Sequence, residues 1–322
     1  MATVQTTTNA SSVYSEYILR KLIPGLKARL LFADYAEPAI LPGGAGAITA
    51  RWVIPTMTAG ATTALNETAP WQGEISQAAF TPVTATIHKK GEFYPISDLH
   101  KDTVLSGMLD AYREQMEYAG AGAIDASIQE ELLKTTQFLH SAALSQIDSV
   151  TLATTDQGTV RDFTRGAELL RTNNVQGFDS LSGDFVFAVH PHYEGGLVTE
   201  AESSGSVTWA KVHQQTPAGF QKLVDNDRLV GRFNNVTALR TSQIGTLVED
   251  VTAYQNIMWG RYAVGWLGLD EKGPKRPKVQ MKSPGPNDTY QPLDTFHTLG
   301  WTVRAVQQLL AANRCLVVYS ST

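Results

Sequence analysis

The chain has 322 residues, a formal net charge of −5 and 18% charged residues. That length can bury a core and form one large domain or two, and a mildly acidic chain without a basic block is poorly suited to wrapping nucleic acid by counterion release. Cys315 is the only cysteine, which excludes an internal disulfide and a single-chain thiolate cluster; the polar start MATVQTTTNASS has no signal-peptide character, and no apolar run approaches the ~20 residues that cross a bilayer. We expect a chain made and used in the cytoplasm.

Residues 1–12 are rich in Thr, Ser and Asn and read as an unanchored tail. From Val13 to Tyr35, apolar residues recur at helical spacing and are broken by Pro24–Gly25. Two short helices or an extended arm both fit. Arg20, Lys21, Lys27 and Arg29 give this arm a basic face, which a solvated helix explains.

Pro38, Pro42, Gly43, Gly44 and Gly46 then break the helical pattern. In AITARWVIP, Ile48, Ala50, Trp52 and Ile54 alternate with polar or small residues, and Val83, Ala85 and Ile87 alternate on the return. The spacing predicts a long two-stranded hairpin over 46–95, with an irregular tip at 56–79. An isolated hairpin is marginal in water and leaves open backbone edges. It should therefore lie on something else, most simply another copy of the chain.

A helix is predicted from Asp102 to Gln146, a stretch without proline. Leu105, Met108, Leu109, Tyr112, Met116, Ala119, Ala123, Ile124, Ile128, Leu132, Leu139 and Ala142 hold a 3.6-residue period. About ten turns result, on the order of 60 Å at ~1.5 Å per residue. Asp110, Arg113, Glu114, Glu117, Gln129, Glu130 and Lys134 form the wet face. Gly120 and Gly122 mark a bend or a close approach of another backbone.

Beyond it we expect a strand at Ile147–Ala153, a helix at Val160–Arg171 and a buried strand at Phe185–Val189. A helix at His192–Glu202 and a polar loop with a helical piece at 203–227 follow. Leu229–Arg240 reads as a strand or hairpin, and Asn256–Leu269 as a core strand pair. The stretch 271–292 carries Lys272, Lys275, Arg276, Lys278 and Lys282 and reads as a connecting loop. Alternation returns from Leu293 to the end, so the class is α+β.

Few residues suggest chemistry. His190, His192 and Glu194 could ligate zinc, but they sit at a strand-to-helix junction after which proline starts a helix equally well. Cys315 lies in an apolar strand, where cysteine behaves as a small hydrophobe. Gly43–Gly44–Ala45–Gly46 neither follows a strand nor opens a helix, so it is not a phosphate cradle. Asp98, His100 and Asp102 could form an acid–base cluster, yet acids at a helix start also cap it. We expect no enzyme, no catalytic residue and no cofactor or metal.

The order of elements is more informative. The arm SEYILRKLIPGLKARLLFADYAEPAILP precedes the hairpin entry ITARWVIPT, its tip ALNETAPW, and HKKGEFYPISD before the long helix. Near the end come YQNIMWGRYAVGWLGLD and PLDTFHTLGWTVRAVQQLLAANRCLVVYSS. Over nearly its whole length the chain resembles the major capsid proteins of tailed phages, with the Hong Kong ninety-seven-type fold, and most nearly the family named after coliphage N-four. One departure is Gln291 before Pro292–Leu293, where that family commonly has an acidic residue.

The resemblance implies an N-terminal arm (1–45), an extended hairpin or E-loop (46–95), a peripheral domain with its spine helix (96–179), an axial domain (180–265) and a return to the peripheral domain (266–322). It implies a chain that self-assembles into hexamers and pentamers of an icosahedral capsid, with a hairpin lying across a neighbour. The subunit contacts it implies are Arg51, Trp52, Glu67, Trp71, Lys89, Lys90, Glu117 and Glu130. The shell would enclose double-stranded DNA without sequence-specific binding, and its mild acidity suits packed DNA. Assembly in the host cytoplasm into a virion would involve a portal, a decoration protein, and a separate scaffolding protein or none, because no large segment precedes the arm. Lys89, Lys90 and Asn313 are available for crosslinking between subunits, but no motif identifies a pair. Two other readings compete: an encapsulin-type nanocompartment, which shares the fold and encloses cargo enzymes, and an α+β metalloenzyme using His190, His192 and Glu194.

Overall fold

The computed structural model describes residues 31–39, 49–55, 80–103, 108–141, 156–181, 183–204, 229–248, 252–269, 277–282 and 296–321. After a single 3-10 turn at Phe32–Tyr35 come β1 (Glu37–Pro38), β2 (Thr49–Pro55), β3 (Phe80–Thr86) and β4 (His88–Ser97). Then follow α1 (Asp98–Thr103), α2 (Met108–Leu132), β5 (Phe138–His140), α3 (Val160–Thr172), β6 (Phe185–Val189) and α4 (Pro191–Ser204). The chain continues through β7 (Leu229–Phe233), β8 (Val236–Arg240), β9 (Thr246–Val248), β10 (Thr252–Trp259), β11 (Val264–Gly268), β12 (Lys278–Lys282), β13 (Phe296–Leu309) and β14 (Cys315–Ser321).

These strands form two sheets and a hairpin. A five-stranded sheet runs β1-β11-β13-β12, with β4 also paired to β13. A seven-stranded sheet runs β5-β14-β10-β6-β8-β7, with β9 on β10, while among the described residues β2 and β3 pair with each other alone. The seven-stranded sheet explains the unbroken apolar run FVFAV. Phe185, Phe187 and Val189 face α3 and α4, with Phe163, Leu170 and Tyr193, while Val186 and Ala188 face the core shared with α2. A strand buried on both faces has no polar positions to alternate with.

Helix α2 lies on the five-stranded sheet. Met116, Ile124, Ile128 and Leu132 are buried against Leu299, Trp301 and Val303 of β13. Gly120 is a close approach, since a Cβ there would lie 2.7 Å from Pro277 and 3.0 Å from the Trp301 ring. Gln129, expected on the wet face, is buried.

The helix is shorter than expected. It has 25 residues, about 37 Å at ~1.5 Å per residue, and ends at Leu132. Thr135 then donates its hydroxyl to the carbonyls of Ala312 (2.7 Å) and Cys315 (2.8 Å). Those bonds turn the chain into β5, where Leu139 pairs in parallel with Val318 of β14. Leu139 keeps its helical spacing in the sequence but is buried from a strand.

Three further expectations need correction. The presumed strand pair of Asn256–Leu269 is two strands in different sheets, β10 in one and β11 in the other. Tyr262 between them has φ +60°, a left-handed conformation rare for a residue with a Cβ; its ring meets the guanidiniums of Arg261 and Arg314 at 5.0 and 5.5 Å. The presumed loop 271–292 contains β12, paired with β13 from Lys278 to Lys282. The closing segment also divides, because β13 packs on α2 whereas β14 pairs with β10 inside the seven-stranded sheet. The tail, the arm up to residue 30, the tip at 56–79, the strand at 147–153 and all of the loop expected at 203–227 except its first two residues, which end α4, lie outside the described residues.

Candidate functional site

Side chains alternate across a strand, so one residue of β13 in two faces α2 and the other faces away. Leu299, Trp301, Val303 and Ala305 face α2. Thr298, Gly300, Thr302, Arg304 and Val306 therefore line the opposite face. The described part of the β2–β3 hairpin covers one end of that face, where Ala50, Trp52 and Ile54 are buried with Val306 and Leu310. The base of the hairpin thus lies on its own chain, where the expectation had been something else, most simply another copy; its tip lies outside the described residues.

Trp52 anchors this base. It is 3% exposed, donates its Nε1–H to the Glu37 carbonyl at 3.2 Å, and lies so close to Gly265 that no side chain would fit there. Trp52 is therefore buried within its own subunit and not offered to a neighbour. Arg51, the next residue back, points outward and is exposed.

Among the described residues, nothing covers the rest of that sheet face. A trough of about 520 Å³ opens there, lined by Lys89, Phe93, Lys282, Thr298 and Thr302, with Gly91 and Gly300 leaving its floor without side chains. Phe93 is 61% exposed. Glu92, at its edge, accepts the indole N–H of Trp301 at 3.4 Å. Sequence reading singled out Lys89 but missed Phe93 and Lys282. The signal was present as alternation in KKGEFYP, which places Lys89, Gly91 and Phe93 on one side.

Lys90 points the other way and donates to the Ser127 hydroxyl of α2 at 2.7 Å, so its ammonium is engaged within the chain. Glu117 and Glu130 are exposed on the outer face of α2, together with Glu114 and Tyr118. Glu67 and Trp71 lie outside the described residues.

The groups that could have carried chemistry are occupied otherwise. His190 stacks on Tyr254 with centroids 4.0 Å apart and on His192 at 5.3 Å. Burial, and then the charge of His192, lowers the His190 pKa. Glu194 instead binds Arg240 at 2.8 Å, so the three side chains do not converge. Burial pushes the Cys315 thiol up to about 11, which keeps it protonated and unreactive at neutral pH. Asp98 pairs with His297 at 2.6 Å, and the buried His100 bonds Tyr112 at 3.1 Å with its pKa lowered by burial. Asp98 and His100 thus have separate partners, and Asp102 is exposed.

No protein-family model matches the sequence, and no curated protein does. Solved structures do match. The capsid of Ralstonia phage GP4 is similar with a TM-score of 0.70 at 11% identity, covering 96% of this chain and 95% of that one. The cyanophage Pam1 capsid follows at 0.64 and 11%, covering 100% and 99%, and that of cyanophage P-SCSP1u at 0.60 and 14%, covering 97% and 94%. At such identities the likeness is one of fold. This chain has the α+β, Hong Kong ninety-seven-type fold of tailed-phage capsid subunits.

Proposed function

We propose that the chain is a major capsid protein, one that self-assembles into the icosahedral shell of a tailed DNA phage and encloses the packaged genome. The observation that carries this reading is the near-complete likeness of fold in both directions, which spans the hairpin, the long helix and both sheets together. The surface agrees with it. Phe80, Phe93 and Leu99 are 60, 61 and 63% exposed, and large exposed apolar groups beside a bare sheet face suit contacts between copies.

In this reading residues 1–45 are the arm, 46–95 the E-loop, 96–179 the peripheral domain, 180–265 the axial domain and 266–322 the return. The contacts between copies fall on Arg51, Glu67, Trp71, Lys89, Glu117 and Glu130. The protein acts as a structural component of the virion and not as an enzyme. It is assembled in the host cytoplasm with a portal and with scaffolding and decoration proteins where the phage supplies them, and it holds double-stranded DNA without reading its sequence.

Negative-stain microscopy and sedimentation of the expressed chain test this reading. Closed particles, and long DNA in those recovered from infected cells, are expected. Particles filled with a protein cargo would identify a nanocompartment instead, and a chain that stays monomeric at every concentration would end the proposal.

A further inference from the structure

We propose that the bare trough on the five-stranded sheet is a socket for the acidic first half of α2 from a neighbouring copy, an inference that rests on the shell reading above. Two patches carry it. The trough presents Lys89 and Lys282 around the exposed Phe93, over a floor opened by Gly91 and Gly300. The outer face of α2 presents Glu114 and Glu117 beside Tyr118, which is 40% exposed. None of these four charged groups makes an ion pair among the described residues.

The two patches complement each other in charge and in chemistry. Glu114 and Glu117 stand three positions apart on one helix face, where like charges repel mildly. Lysines from another chain would relieve that repulsion, and Tyr118 and Phe93 would bury each other's exposed rings. Charge matching of this kind selects the partner and its register more than it adds affinity.

The fold prevents the two patches from meeting within one subunit. Helix α2 covers one face of the sheet and turns its acids away from it, while the trough lies on the opposite face. A contact between two different patches of one chain is head-to-tail, and such contacts close into rings when the rotation permits. The β2–β3 hairpin rises from the same sheet face as the trough. A neighbour's helix seated in the socket would therefore run alongside that hairpin.

Two charge-reversed chains test the socket: one carries Lys89→Glu with Lys282→Glu, the other Glu114→Lys with Glu117→Lys. All four positions are exposed, so each chain should keep the wild-type circular dichroism and melting temperature. Each alone should lose at least tenfold of its assembled fraction by sedimentation. Mixed in equal amounts they should assemble again, because alternating copies place opposite charges at every contact of a six-membered ring and at four of the five in a five-membered one, and the particles should contain both chains in about equal amounts. The milder pair Lys89→Gln with Lys282→Gln keeps the test open if a reversal harms folding, and should assemble to an intermediate extent that added salt does not reduce further. Wild-type particles with no rescue in the mixture would overturn the socket alone. Absence of wild-type particles would remove the shell reading beneath it.

Discussion

The carboxylate of Asp125 in α2 accepts the backbone N–H of Leu31 at 2.6 Å, from a residue 94 positions earlier in the chain. Its other oxygen accepts the N–H of Ala33 at 3.1 Å. Asp125 is 1% exposed, and a buried carboxylate is tolerated when donors surround it. These bonds fasten the start of the described chain to the long helix. Asp125→Ala would strand two buried N–H groups, each costing about 1–3 kcal/mol. We expect a loss of roughly 2–4 kcal/mol in chemical unfolding, and a change under ~0.5 kcal/mol would show that the clasp contributes little.

The two faces of α2 should respond differently. Ile128 is fully buried, and truncating such a side chain costs roughly 2–5 kcal/mol, so Ile128→Ala should give unstable or insoluble subunits. Glu117 and Glu130 are exposed, where single charges are worth about 0–1 kcal/mol to the fold. Glu117→Lys with Glu130→Lys should leave circular dichroism unchanged and impair particle formation. Equal behaviour of the two mutants in both assays would remove the idea that this face is a subunit contact.

The hairpin divides at its base. Deleting residues 56–79 should leave a folded subunit that forms no closed shells, because Ala50, Trp52 and Ile54 keep their own core. Trp52→Ala should act on the subunit itself, lowering its stability by roughly 3–5 kcal/mol. Normal particles from the deleted chain would show that the tip is dispensable for assembly.

Asp162 supplies a pH signature. Burial raises its pKa from 3.8 to about 6, although Thr159 N–H (3.0 Å) and the Tyr193 hydroxyl (2.8 Å) both donate to it. The folded state therefore holds this proton more tightly than the unfolded one. The contribution of Asp162 is most favourable below pH ~4, and declines as pH rises to ~6, by roughly 3 kcal/mol in all. His100, His140 and His190, whose pKa values burial lowers, pull the other way as pH falls. The difference in unfolding free energy between the wild type and Asp162→Asn isolates the carboxylate. It should shift against the wild type between pH 4 and 6, and a flat difference would refute the raised pKa.

Much of the fold was legible in the sequence because the signals are local. FVFAV must be a strand buried on both faces, and the period from Met116 to Leu132 must be a helix with one buried side. Asn234–Asn235, each with positive φ, close β7 onto β8 in the two-residue turn that favours asparagine. The order of these elements along the chain already pointed to the capsid fold.

What only the tertiary structure decided was partnership across distance. Periodicity states which face of an element is apolar, not which element covers it. It carried the helix past Leu132, because nothing local announces that Thr135 bonds carbonyls 177 and 180 residues away. It put Trp52 on the apolar face of its strand but not on any partner, because Gly265, the residue that leaves room for its indole, is more than two hundred positions further on. It separated neither β10 from β11 nor β13 from β14, since strands adjacent in sequence look alike whichever sheet they join. The bare trough exists for the same reason. Lys89 and Phe93 come from β4 and Lys282 from β12, and only their common neighbour β13 brings them to one face.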